Sequence, residues 1–137
     1  ELDVAEAVRL AKWLQEQGNE GLVVTGTTGE ASTLTDAEKL AIWEAVASAV
    51  TIPVIAGSGS NDTAHSVHLT KEASKLGVAG ILAVGPYYNR PSQAGIAAHI
   101  SAIGRPPSPG HRRPLMASSS NASKPCGIAA GASAIWM

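Results

Sequence analysis

The sequence predicts an α/β fold built on a parallel sheet, and two observations carry that prediction. Three short apolar runs, GLVVTG at 21–26, IPVIAG at 52–57 and GILAVG at 80–85, have the length and branched-aliphatic content of strands buried on both faces. They begin roughly thirty residues apart with helical patterns between them, the spacing of βα units whose helices cover both faces of a sheet. Two architectures suit this pattern, a doubly wound open sheet and a (β/α)8 barrel. A barrel takes about 250 residues, so a chain of 137 holds only part of one.

Each element has its own signal. Residues 3 to 17 carry Val4, Ala7, Val8, Ala11 and Leu14 as an apolar stripe at helical spacing, with Gly18 as the stop. After the first strand, Thr35 followed three residues later by Glu38 is a capping-box pattern. Leu40, Ile42, Trp43, Val46 and Val50 then form an apolar helical face. Asn61 is the expected cap of the next helix, which runs to about Lys75 and ends at Gly77. Ser92 opens a last helix that continues to about Ile103.

From residue 104 the character changes. The segment GRPPSPGHRRPLMASSSNASKPCGIAAGASAIWM is rich in proline and serine and shows neither helical nor strand period. The division is therefore residues 1–103 as a partial barrel domain and 104–137 as a low-complexity tail, disordered or read out of frame. All acidic residues lie at or before Glu72, and beyond it every charged residue is basic. Such asymmetry can mark a nucleic-acid tail. An out-of-frame tail accounts for it with no nucleic-acid partner, and none is expected.

Cys126 is the only cysteine, so no intramolecular disulfide can form. The amphipathic start is no secretory signal, and the longest apolar stretch falls far short of the roughly 20 residues a membrane helix needs. A cytoplasmic protein without a membrane partner is the expectation. A chain beginning at Glu1 reads as a fragment or a processed form.

The strand ends hold the chemistry, because parallel α/β folds bind ligands there. The first ends in GTTGE, 26–30. Its glycines let backbone N–H groups approach an anion, and its threonine hydroxyls can bind a carboxylate or relay a proton; it also suits a tight turn with self-satisfied hydroxyls. No P-loop lysine follows it. GSGSND, 57–62, has Asp62 where a dinucleotide fingerprint needs a third glycine, so a turn and helix cap is the better reading. In PYYNRP, Tyr87 and Tyr88 can act in proton transfer or pack, pointing to opposite sides so that one ring is buried. His65 and His68 are three apart on a helix without a third ligand, so no metal is expected. Trp13 and Trp43 read as packing residues.

Taken together and in order, GLVVTGTTGEASTLTDAEKLAIWEAV and IPVIAGSGSNDTAHSVHLTKEASKLGVAGILAVGPYYNRPSQAGIAAHI resemble the dihydrodipicolinate synthase (4-hydroxy-tetrahydrodipicolinate synthase) family of class I pyruvate-dependent aldolases. The resemblance spans Leu2 to Ile103. It implies a (β/α)8 barrel, a homotetrameric parent and no cofactor. It implies that pyruvate forms a Schiff base with a lysine and condenses with aspartate 4-semialdehyde, on the route to lysine and diaminopimelate. Thr27 is then the hydroxyl of a proton relay, and Thr28 binds the pyruvate carboxylate. Tyr88 is the relay tyrosine that reaches a neighbouring subunit's site, and Tyr87 lies toward the subunit interface.

The resemblance covers only the second, third and fourth βα units. The family's downstream Y-N-x-P-x-R-T-G motif and the strand carrying its Schiff-base lysine have no counterpart here. Lys12, Lys39, Lys71 and Lys75 fall on predicted helices and Lys124 in the tail. The chain is expected to be inactive and, with three strands and two open edges, marginally folded. Lysine-sensitive members place histidine or glutamate where this chain has Asp36, Lys39 and His65, so feedback by lysine is not expected. The alternatives are another pyruvate-type aldolase or lyase, such as a sugar-acid or N-acetylneuraminate lyase, and a non-catalytic truncated product.

Overall fold

The computed structural model describes residues 2–104 and 134–136. In chain order the elements are α1 (Val4–Glu16), β1 (Gly21–Val24), α2 (Asp36–Ala49), β2 (Val54–Gly57), α3 (Thr63–Ala73), β3 (Gly80–Leu82), α4 (Gln93–Ile103) and β4 (Ala134–Trp136). The strands form one parallel sheet in the order β3-β2-β1-β4. Register is set by Leu22 opposite Val54, Val24 opposite Ala56, and Ala56 opposite Ile81.

The pleat sorts side chains onto two unlike faces. Leu22, Val24, Val54, Ala56 and Ile81 share one face and enter the core with Ala11 and Leu14 of α1, Trp43 and Val46 of α2, Leu69 and Ala73 of α3, and Ile103 of α4. Val23, Ile55 and Leu82 turn to the other face, where Ile55 and Leu82 stay half-buried. Each helix packs against the next, α1 on α2, α2 on α3 and α3 on α4, which makes a single helical layer. The sequence predicted strands buried on both faces beneath helices on both; among the described residues the helices cover one face, and on the other Val23 is buried. In a closed barrel that second face turns inward and is filled by side chains from the other strands.

Strand limits differ from the apolar runs for local reasons. β1 stops at Val24 because Thr25 takes a positive φ of 56° and leaves the ladder. β2 begins at Val54, since Pro53 has no N–H to offer; its carbonyl still accepts from the Leu22 N–H at 2.9 Å. Ala134–Trp136 forms a strand on the outer edge of β1, which the absence of period in the tail did not predict. β1 is therefore an interior strand, and the outer positions belong to β3 and β4. The rest of the tail lies outside the described residues.

The helices begin at side-chain caps. Asp3 accepts from the Glu6 N–H at 2.9 Å, and Ser92 from the Gly95 N–H at 3.1 Å. α3 is capped by Asp62, which accepts from the His65 N–H at 2.9 Å, and not by Asn61. It ends at Ala73, so Lys75 stands in the turn before Gly77. The Gln15 side-chain oxygen Oε1 accepts from the Thr51 N–H at 2.7 Å, tying the end of α1 to the segment that leads into β2.

The Thr35–Glu38 capping box is present in both directions. Glu38 Oε2 accepts from the Thr35 N–H and hydroxyl, each at 2.8 Å, and the Thr35 oxygen accepts from the Glu38 N–H at 3.3 Å. The backbone N–H of Thr35, then its hydroxyl, hold the Glu38 carboxyl below its ordinary value. A depressed carboxyl stabilises the fold above its unfolded pKa, and that contribution disappears as pH falls through the folded value. Thr35→Ala is expected to cost about 1 kcal/mol near neutral pH. The gap in melting midpoint between variant and parent should narrow as the solution is acidified through the carboxylate range. A gap that stays constant with pH would refute the share of the Glu38 contribution that comes through the Thr35 hydroxyl.

Candidate functional site

Because β1, β2 and β3 are parallel, their carboxyl ends lie along one edge of the sheet, and the three polar turns follow directly from them. The β1 turn is held from beneath. Thr25 is 2% exposed, and its hydroxyl oxygen accepts from Trp43 Nε1 at 2.8 Å. The same hydroxyl faces the Gly57 carbonyl at 3.4 Å. Trp43 is fully buried, so α2 fixes Thr25 through a bond shielded from water. Beyond it, Gly26 is buried while Thr27 and Thr28 are exposed. The turn closes with the Glu30 N–H donating to the Thr27 carbonyl at 3.1 Å and the Thr33 hydroxyl donating to the Glu30 carbonyl at 2.9 Å. Glu30 has a positive φ of 51°. The carbonyls of Gly26, Thr27 and Glu30 thus accept from N–H groups of the same turn, and the Thr27 and Thr28 side chains face solvent.

The β2 turn uses its hydroxyls inwardly. Ser58 is fully buried, with its Oγ 2.9 Å from Thr70 Oγ1. Ser66 Oγ accepts from the Ser60 N–H at 2.9 Å, and the Ser60 hydroxyl donates to the Asp62 carbonyl at 3.0 Å. This is the turn-and-cap arrangement read from GSGSND, with its hydroxyls committed to the backbone and to each other.

The β3 turn carries the two tyrosines. Their rings meet edge to face, with centroids 6.0 Å apart at 82°. Neither is buried: Tyr87 is 45% exposed and Tyr88 95%. Strand alternation does not apply, because Tyr88 has a φ of 66° and Arg90 one of 47°. The Asn89 side-chain N–H donates to the Asn61 carbonyl at 3.2 Å, linking this turn to that of β2.

Outside the edge, His65 Nε2 stands 2.9 Å from Asp36 Oδ2, joining the first turns of α2 and α3. His65 is thus engaged by a carboxylate, while His68 is exposed. Trp13, expected to pack, is about half exposed. Lys12, Lys39 and Lys71 are helical, with Lys39 buried, and no described strand carries a lysine. Lys124 lies outside the described residues. Among the described residues, no cluster of His, Cys, Asp and Glu could hold a metal ion, and no helix is long and apolar enough to cross a membrane.

Parallel βα units with polar turns gathered at the carboxyl edge define part of an α/β enzyme fold that takes small substrates at that edge. Residues 1–108 match the dihydrodipicolinate synthetase family, and the chain belongs to it. A relative from Halalkalibacterium halodurans, 4-hydroxy-tetrahydrodipicolinate synthase 2, is 55% identical over 104 residues, covering 74% of this chain and 36% of the relative. The dihydrodipicolinate synthase of Cyanidioschyzon merolae, solved with lysine bound, superposes with a TM-score of 0.74 at 47% identity, covering 76% of this chain and 36% of that one. The chloride-inhibited synthase of Acinetobacter baumannii, complexed with pyruvate, gives a TM-score of 0.72 at 41% identity, covering 74% of this chain and 36% of that one. The likeness resolves the choice of architecture in favour of the barrel. The chain spans about a third of the length of the relatives it matches.

Two residues of the edge escaped the sequence reading. Thr25 sits inside an apolar run, and nothing in its type announces a positive φ. His99 has a signal, a lone histidine on an otherwise apolar helix, but one without chemistry until its partners are known.

Proposed function

We propose that this chain is the second to fourth βα units of a 4-hydroxy-tetrahydrodipicolinate synthase, which condenses pyruvate with aspartate 4-semialdehyde through a lysine Schiff base. The observation that carries the reading is the β1 turn. The turn is closed by hydrogen bonds between its own residues, Thr25 is pinned by Trp43, and Thr27 and Thr28 are exposed beyond the end of β1. A hydroxyl both donates and accepts, which suits Thr27 to passing a proton along a relay. Thr28 can donate its hydroxyl to a carboxylate, replacing the water that the anion would otherwise keep. The near-complete exposure of Tyr88 supports a role at a site outside its own subunit, as a homotetrameric parent would need. The pyruvate complex of the Acinetobacter baumannii relative supports pyruvate as the ligand.

The catalytic amine belongs to the part of the family's barrel that this chain does not match. Alone, the chain holds the hydroxyl half of the site. Titration with pyruvate, followed by amide NMR, is expected to shift the Thr27 and Thr28 resonances saturably. Thr28→Val should reduce the affinity by about ten- to a hundredfold, the worth of one hydrogen bond to a charged group. Equal titration of parent and variant would overturn the assignment of Thr28.

A further inference from the structure

Beyond Leu82 the chain leaves the sheet, yet five residues later it must present two tyrosines in a fixed arrangement. We propose that His99, on α4, is the positioning residue of this tyrosine turn. His99 is 3% exposed, on the buried face of α4 that also carries Ile103. Its Nε2 lies 3.1 Å from the Val84 carbonyl oxygen, and its Nδ1 2.8 Å from Thr63 Oγ1. A carbonyl only accepts, so Nε2 carries the proton and donates to Val84. Nδ1 pairs with the Thr63 hydroxyl, which can serve either tautomer. One imidazole therefore joins three elements: the segment leaving β3, the first residue of α3, and α4.

The place of each bond gives the ring its role. Backbone pairing to β2 ends with the Gly59 N–H donating to the Leu82 carbonyl at 3.2 Å. Two residues on, His99 holds Val84. At the far end Asn89 holds Asn61, also beside the start of α3. The tyrosines lie between these two ties, and Tyr88 and Arg90 keep positive φ values that an unrestrained loop would relax. Thr63, the anchor for Nδ1, stands directly after the capping residue Asp62. The ring thereby transmits the position of α3 and the β2 turn to the tyrosines.

The value of that position for proton transfer rests on the role proposed above for Tyr88. The position itself can be read without turnover, so failure of either idea leaves the other distinguishable. The full chain contains two tyrosines. Labelled with 3-fluorotyrosine, it should give two separate 19F resonances. His99→Leu fills the core without hydrogen bonds, and is expected to keep a cooperative melt while the two resonances collapse toward the free amino-acid position. His99→Gln can still donate to the Val84 carbonyl and should restore the separation. Unchanged resonances in His99→Leu, or no rescue by His99→Gln, would overturn the proposal and leave His99 a packing residue. If His99→Leu does not fold, Thr63→Val carries the test at an exposed position. Movement of the tyrosine resonances supports the tie, and their constancy overturns it.

Discussion

Gly57→Ala is expected to abolish the cooperative unfolding transition of this chain. A Cβ built at Gly57 falls 2.1 Å from the Thr25 carbonyl oxygen and 2.8 Å from its carbonyl carbon. Both are main-chain atoms of the neighbouring strand's end, so no side-chain rotation relieves the contact. Either β1 and β2 separate at their carboxyl ends, or Thr25 leaves the position where Trp43 holds it. The first loses strand pairing, and the second leaves the buried Trp43 N–H without its acceptor. Overpacking a native interior costs about 1–3 kcal/mol when side chains can adjust. A backbone clash belongs at or above the top of that range, a large part of the 5–15 kcal/mol that holds an ordinary domain. Thermal melting followed by circular dichroism checks this, and a variant that melts cooperatively within a few degrees of the parent would contradict it.

The second large effect concerns activity. Purified chain supplied with pyruvate and aspartate 4-semialdehyde is expected to show no turnover, because the proposed reaction needs an amine that the Thr27 and Thr28 hydroxyls cannot replace. Schiff-base lysines act through a pKa lowered by desolvation or by a neighbouring cation. Lys12, Lys39 and Lys71 stand on helices, and Lys75 in the turn after α3. A helix-borne amine in the outer layer of a barrel is separated from the carboxyl edge by the sheet itself. Coupled-enzyme assay of pyruvate-dependent aldehyde consumption checks this, and turnover abolished by Thr27→Val would count decisively against it.

The parts of this molecule that were legible in the sequence are those fixed by local chemistry. Thr35 and Glu38 form their box because both partners lie within one turn. Ser92 caps α4, which ends at Ile103 as its apolar pattern indicates. The strand order could not be read, since equal spacing suits both a wound sheet and a barrel. Asn61 and Asp62 are both good caps in adjacent positions, and only the path of the chain into α3 selects Asp62. The tyrosines were judged by strand alternation, a rule that lapses once Tyr88 takes a positive φ. His99 and Thr25 depended on partners 15 to 36 residues distant in the chain, which no local pattern reveals. β4 is three residues long, too short for any period to register.

The site was legible in type and not in use. GTTGE and GSGSND look alike as glycine- and hydroxyl-rich turns, yet Ser58 and Ser60 spend their hydroxyls within the protein while Thr27 and Thr28 face outward. That difference follows from what lies beneath each turn. Thr70 and Ser66 of α3 offer partners to the serines, whereas beneath GTTGE the buried bond from Trp43 is taken up by Thr25 alone.

In the proposed function this chain carries the pyruvate-holding hydroxyls of a synthase site without its amine. Incubation with pyruvate and sodium borohydride, followed by intact-mass spectrometry, tests that division directly. The predicted result is an unmodified chain under conditions where a complete synthase of the family is quantitatively trapped. A stoichiometric pyruvate adduct, mapped to any of the chain's lysines, would contradict it.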